Sequence, residues 1–419
     1  MQIELRSPIR SVCFAGACLI VIGLYLATSA RVFLADRQAA KADSSSLEKA
    51  ARLERSNPEY RDLLGRLFVL SGATLDQAIS NFQAAVHLNP YNAEYWLDLA
   101  AAYQIAGRTD EQAQSVEQAV NADPTTPHVA WEGANFFLIQ GNLAKALPYF
   151  RTVLANDPEA VKYALQLCWR ATGDANQMFD QALPRNSDLY LSFLHLLVSK
   201  QELQPAENAW DHLIGLEQSF PPKLAFPYIE LLIAKQEVSA AQKAWQQLAQ
   251  VDPEIQAYLP TGENLVVNGG FEENLLNGGF DWLYQSAPHA LLALDTDQFF
   301  GGTRSLSVTF DGRNPPDAGI LQFIPVKPST DYEFSVESRT QDIDSASGPR
   351  FAIADAYTNT SYVLTDDLLG TNPWHKQEAR FHTGPSTNLL LLKILRQPAA
   401  PLIRGKLWID DVRLAEVTN

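Results

Sequence analysis

Three prolines, Pro90, Pro124 and Pro158, stand 34 residues apart. Phe82, Val116 and Phe150 keep the same step, as do Ala85, Ala119 and Val153, Tyr103 and Phe137, and Gly107 and Gly141. A fixed period of this size means one supersecondary unit stacked several times. Between Tyr91 and Pro124, the residues Trp96, Leu99, Ala100 and Tyr103 fall at i, i+3, i+4 and i+7, one face of a helix. Gly107 breaks the chain. Ala113, Val116, Ala119 and Val120 then line a second helix, which Asp123-Pro124 ends because proline disfavours helical geometry in the residue before it. The unit is a pair of helices.

Two neighbouring stretches carry the same pattern. Ala134, Phe137, Gly141, Ala146, Phe150 and Pro158 mark one, and Leu64, Gly65, Phe68, Gly72, Ala78, Phe82, Ala85 and Pro90 the other. Beyond Pro158 the ruler degrades. Ala164, Leu165, Gly173 and Phe179 suggest a fourth unit cut short at Pro184. Tyr190, Leu194, Leu197, Ala206, Trp210 and Leu213 suggest a fifth, and Tyr228, Leu232, Ala241, Trp245, Leu248 and Pro253 a sixth. The pattern resembles the tetratricopeptide repeat, W-x2-L-G-x2-Y followed by Gly, Ala, Phe, Ala and Pro. Ala100 departs from the family's glycine and Val116 from its second-helix aromatic. The resemblance implies an α-solenoid over residues 57–256 with a concave face that holds a protein partner. Polar first-helix positions Asn92, Asp98, Gln104, His128 and Asn135 are the candidates for that face. The alternative is a spacer that displays the C-terminal domain.

Ser11 to Ala30 is a run without charge, rich in Val, Ile, Leu and Ala. A helix of that length rises about 30 Å, the hydrocarbon thickness of a bilayer. Residues 1–35 therefore read as a single-pass membrane anchor, with a cleaved signal peptide ending near Thr28-Ser29-Ala30 as the alternative. Arg6 and Arg10 precede the run and Arg31, Arg37 and Lys41 follow it, so flanking charge leaves the orientation open. Residues 36–56 read as a stalk helix.

At Leu259-Pro260-Thr261-Gly262 helical periodicity stops. Val266-Val267, Ser305 to Phe310, Ile320 to Val326, Tyr332 to Ser338, Phe351 to Ala356, Glu378 to His382, Leu389 to Leu395 and Lys406 to Leu414 read as strands separated by Gly, Pro, Asn and Asp. Residues 262–419 thus predict a β-sandwich, and the fold class is multidomain, α then β. The domain opens Asn264-Leu265-Val266-Val267-Asn268-Gly269-Gly270-Phe271-Glu272 and closes Leu407-Trp408-Ile409-Asp410-Asp411-Val412-Arg413-Leu414, with Phe300-Gly301-Gly302-Thr303-Arg304-Ser305-Leu306 between. These phrases resemble carbohydrate-binding modules with a galactose-binding-like jelly roll, and the likeness spans nearly the whole domain. It implies paired first and last strands, with Glu272 near Asp410 and Asp411. It also implies a structural calcium on those carboxylates, or else a hydrogen-bonded corner without metal. Sugar contact in such modules uses aromatic rings that stack on a pyranose face. Trp282, Tyr284, Tyr357, Tyr362 and Trp374 are the candidates, each with core packing as the alternative; Trp408 reads as core.

The net charge of −16, with no basic tract, argues against nucleic acid as a partner. Cys13, Cys18 and Cys168 offer no disulfide framework. No H-E-x-x-H, G-x-S-x-G or phosphate-loop motif occurs, so no catalytic constellation is expected. Asp366-Asp367 and Asp295/Asp297 are carboxylate pairs without the context a glycosidase needs. The expectation is a non-enzymatic membrane scaffold whose C-terminal bulk is periplasmic or extracellular. Its helices dock a protein and its jelly roll contacts a polysaccharide, as in envelope or exopolysaccharide assembly. The competing expectation is an adaptor that binds proteins only.

Overall fold

A computed structural model of the protein describes residues 8–71, 75–285 and 287–417. Arg6 and Gly72 lie outside the described residues. The chain forms two compact units, Met1–Pro184 and Arg185–Asn419.

The first unit is helical. α1 (Pro8–Ala39) and α2 (Ser44–Leu53) form a hairpin ahead of the repeats. Asp43 starts α2 by accepting the Ser46 N–H at 2.9 Å. Three repeats come next: α3 (Pro58–Ser71) with α4 (Leu75–Leu88), α5 (Ala93–Ile105) with α6 (Thr109–Ala122), and α7 (Pro127–Ile139) with α8 (Leu143–Asn156). Small residues at the crossings let the helices approach. A Cβ at Gly65 would overlap the Phe82 ring, so only glycine fits beneath it. α9 (Val161–Thr172) begins a fourth unit, whose second half is only α10 (Ala175–Gln177) and a π-turn, Met178–Ala182. α2 is packed rather than a free stalk. Ala35, Leu47, Ala50, Tyr60 and Leu64 share one buried cluster, and the Tyr60 hydroxyl donates to Asp36 at 2.5 Å.

The second unit joins two further hairpins to the β-structure. α11 (Ser187–Ser199) pairs with α12 (Leu203–Ile214), and α13 (Phe226–Ala234) with α14 (Val238–Val251). A 3₁₀ turn, Pro253–Tyr258, leads into β1 (Leu283–Tyr284), β2 (Ala290–Asp295), β3 (Ser305–Arg313), β4 (Asp317–Pro325), β5 (Asp331–Asp344), β6 (Pro349–Asp355), β7 (Ser361–Leu364), β8 (Gly370–His382), β9 (Leu389–Arg396) and β10 (Ile403–Glu416). They make two antiparallel sheets, ordered β1-β4-β9-β6-β7 and β2-β3-β10-β5-β8. Alternating inward residues fill the space between them, among them Phe334, Phe351, Ile353, Leu392 and Leu407, and Phe271 of the opening segment joins them. The opening segment is bonded to the last strand as expected, without forming a strand of its own. Leu265 N–H donates to Leu414 O at 2.8 Å, and Val412 N–H to Gly269 O at 2.9 Å.

The compact units part at 184/185, not where helices give way to strands near residue 260. The reason is aromatic packing. Gly278 lies so close to Phe226, and Gly279 to Trp245, that a Cβ at either would overlap the ring. Trp245 also meets Phe280 edge-on at 6.2 Å, and the Tyr258 hydroxyl donates to Asn274 O at 2.7 Å. The last hairpin thus packs on the segment 274–280 that leads into the sandwich.

Candidate functional sites

Four of the five polar positions singled out on the first helices line one groove in the first unit. Asp98 and Gln104 of α5 and His128 and Asn135 of α7 enclose about 360 Å³ together with Leu97, Phe136 and Ile139. Ile139 is 81% exposed, an apolar side chain with no intramolecular cover. Asn92 plays a different part, since its side chain accepts the Glu94 N–H at 3.0 Å and caps α5. Asp98 is anchored from the previous repeat by Arg66 at 2.6 Å, and Arg66 also holds Asp62 at 2.8 Å. Burial, then the nearby charge of Asp98, pushes the Asp62 carboxyl well above the ordinary range despite Arg66.

The aromatic candidates do not converge. Trp282 is 2% exposed, stacks on Phe271 at 5.2 Å and donates its N–H to Asn268 O, so it is a core residue and offers no ring to a sugar. Tyr357 is half-buried and donates to Ile233 O at 2.8 Å. Tyr362 stacks on Phe381 at 5.5 Å with its hydroxyl at 2.7 Å from Thr387 Oγ1. Tyr284 and Trp374 remain, on different sheets. Trp374 packs against Phe300 at 6.0 Å, and Phe299 and Phe300 are exposed beside it. Trp408 is buried, but on the opposite side of β10 from the core residues Leu407 and Ile409. There Lys406 and Arg339 lie over its ring and Asp295 accepts its N–H at 2.8 Å.

Tyr284 stands at a cleft of about 560 Å³ on the outer face of the first sheet. Its floor is Leu283, Leu321 and Phe323, and its polar rim is Asn277, Gln285, Asp317, Lys393 and Glu230 of α13. Cross-strand register builds the floor: Leu283 pairs with Leu321, and Leu321 with Lys393, whereas Tyr284 pairs with the core residue Ile320 and borders the cleft from the edge of the sheet, 41% exposed. Ala352 opposite Lys393 and Ala354 opposite Leu391 keep the neighbouring strand low. Sequence reasoning missed Glu230, Asp317, Phe323 and Lys393. A signal was present: the runs Ile320 to Pro325 and Leu389 to Leu395 are apolar nearly throughout, which marks a sheet covered on both faces.

At the predicted calcium corner, both Glu272 carboxylate oxygens accept hydrogen bonds, from Thr303 N–H at 2.9 Å and Thr303 Oγ1–H at 2.6 Å, with Arg304 N–H at 3.3 Å. The Arg304 guanidinium caps the Glu272 carbonyl oxygen and reaches Asn274 Oδ1. Asp410 accepts Phe300 N–H at 2.8 Å and Gly301 N–H at 3.0 Å, and Asp411 pairs with Arg413 at 2.7 Å. Burial raises the Glu272 carboxyl, but the Thr303 and Arg304 hydrogen bonds outweigh it and hold it below its ordinary value. Oxygens committed to N–H, O–H and guanidinium donors do not fit a calcium ion, which takes six to eight oxygen ligands. Among the described residues no group of three or more His, Cys, Asp or Glu is arranged to hold a metal ion. What the corner does is clasp the loop that carries Phe299 and Phe300.

No protein-family model matches the chain, and neither does any curated protein. Among solved structures it is similar to a family 16 carbohydrate-binding module, at 19% identity, covering 36% of this chain and 100% of that one, with a TM-score of 0.28. It is similar to a xylan-binding domain from Paenibacillus barcinonensis at 16% identity, covering 36% and 93%, with a TM-score of 0.25. It is also similar to a tetratricopeptide repeat protein from Parabacteroides merdae at 16% identity, covering 55% and 96%, with a TM-score of 0.30. The chain itself has helical hairpins followed by a two-sheet β-domain.

Proposed function

We propose that the protein is a non-enzymatic, membrane-anchored scaffold of the cell envelope, with its repeats and β-unit outside the membrane. The repeats dock a protein segment and the β-unit contacts a polysaccharide. The anchor is α1, where Ser11–Ala39 contains an 18-residue window with a mean hydropathy of 2.1 and is long enough to span a bilayer. The same helix ends in the first repeat cluster through Ala35. Docking falls to the groove around Asp98, Gln104, His128 and Asn135, where the exposed Ile139 offers apolar contact.

The observation that carries the polysaccharide reading is the cleft at Tyr284, an apolar floor ringed by hydrogen-bonding groups. A glycan array probed with the full chain in detergent tests it. Binding that is lost in Tyr284→Ala supports this site, and binding lost in Trp374→Ala moves it to the second sheet. The burial of Trp282 and the internal hydrogen bonds of Tyr357 and Tyr362 favour one competing reading, an adaptor that binds only proteins. Silence across the array selects it.

A further inference from the structure

We infer that the last helical repeat forms one wall of the polysaccharide cleft, that Glu230 of α13 is a contact residue there, and that the cleft takes an uncharged, hydroxyl-rich chain. This rests on the glycan reading of the Tyr284 face.

Three positions on α13 carry the argument. Phe226 packs against Gly278 of the β-unit, and the Ile233 carbonyl accepts the Tyr357 hydroxyl at 2.8 Å. Phe226, Glu230 and Ile233 are spaced i, i+4 and i+7, so they share one helix face. Contacts at both ends of that face fix it against the β-unit and leave Glu230 between them, where it lines the cleft with Tyr284 and Lys393. The Phe226 anchor is a core contact: Phe226 is 4% exposed and packs at 5.8 Å on Trp245, itself 2% exposed.

The rim chemistry selects the chain. Glu230 and Asp317 are acceptors for hydroxyl donors, and Asn277 and Gln285 serve either way. Among the described residues, Lys393 is the one cation lining the cleft. Two carboxylates against one ammonium, on a protein of net charge −16, repel a uronate or sulfated polymer.

Affinity electrophoresis of the full chain in detergent, through gels containing barley β-glucan, arabinoxylan, galactomannan or polygalacturonate, tests the inference. The expected result is retardation by at least one neutral polymer and none by polygalacturonate. Tyr284→Ala abolishes the retardation, Glu230→Ala weakens it about ten-fold, a loss of roughly 1.4 kcal/mol, and Glu230→Gln lies between. Melting temperatures equal to wild type in the Glu230 variants exclude misfolding. Wild-type retardation in Glu230→Ala with loss in Tyr284→Ala overturns the helical wall while the glycan reading stands. Preference for polygalacturonate overturns the choice of chain. No retardation by any polymer overturns the inference together with the reading beneath it.

Discussion

The Tyr357 hydroxyl donates to the Ile233 carbonyl across 2.8 Å, joining the loop after β6 to the end of α13. Replacing Tyr357 by Phe removes that bond and is expected to cost about 1 kcal/mol of unfolding free energy. Gly279→Ala is the harsher change. Gly279 has φ of 61° and lies against Trp245, so a side chain meets both backbone strain and overlap. A loss of about 2 to 4 kcal/mol is expected, read in urea unfolding of the full chain.

The corner clasp predicts indifference to calcium. Adding calcium or chelator should leave the melting temperature unchanged within ~1 °C, because hydrogen-bond donors already hold the corner carboxylates. Glu272→Gln should lower it by weakening the charge-assisted bonds from Thr303 and Arg304. A calcium-dependent rise in the melting temperature of the wild type, reversed by chelator, would count against the clasp.

Asp281 supplies a pH dependence of known sign. It is fully buried; its carboxylate accepts Leu276 N–H at 2.6 Å, and its other oxygen has no protein partner. Burial raises its pKa from 3.8 to about 6. The folded state therefore prefers the protonated acid. The stabilisation is full below about pH 4 and is lost as pH rises through 6, by an amount on the order of 3 kcal/mol. Asp281→Asn keeps an acceptor for Leu276 without titrating. The difference in stability between variant and wild type should grow in the variant's favour from pH 4 to pH 7; a constant difference would refute the assignment.

Asn92 and Ile139 separate structure from docking in the repeats. Asn92→Ala removes the α5 cap and should cost about 1 kcal/mol of stability without changing partner capture. Ile139→Asp changes an exposed side chain, so it should leave stability within ~0.5 kcal/mol while abolishing capture of the docked protein. Equal effects of the two variants on capture, assayed by co-purification, would contradict the groove.

The hairpins were legible because small residues and prolines recur at a step that physical stacking requires; α3 to α8 fall on the repeats read from Pro90, Pro124 and Pro158. The strands that sequence reading found lie mostly within the sheets, whereas β1, β2 and β7, which it missed, are all edge strands. An edge strand is half-paired and short, so its alternation is weak. The site residues were harder. Trp282 and Tyr284 are two residues apart on the same side of the chain, yet one ring is core and the other is exposed at the sheet edge, and only tertiary packing separates them. Glu230 was out of reach because nothing local records that α13 would be carried onto the β-unit by Phe226 and Gly278. The same holds for Arg304, whose guanidinium is brought to Glu272 by a loop closure 32 residues away.

Hydrogen–deuterium exchange of the full chain, with and without a retarding neutral polysaccharide, examines the shared cleft most directly. Slowed exchange should appear together at β1, β4 and the α13 segment around Glu230, with the strands bearing Trp374 and Trp408 unchanged. Slowing confined to the Trp374 sheet, or absent from α13 while β1 and β4 respond, would contradict a cleft built jointly by repeat and sandwich.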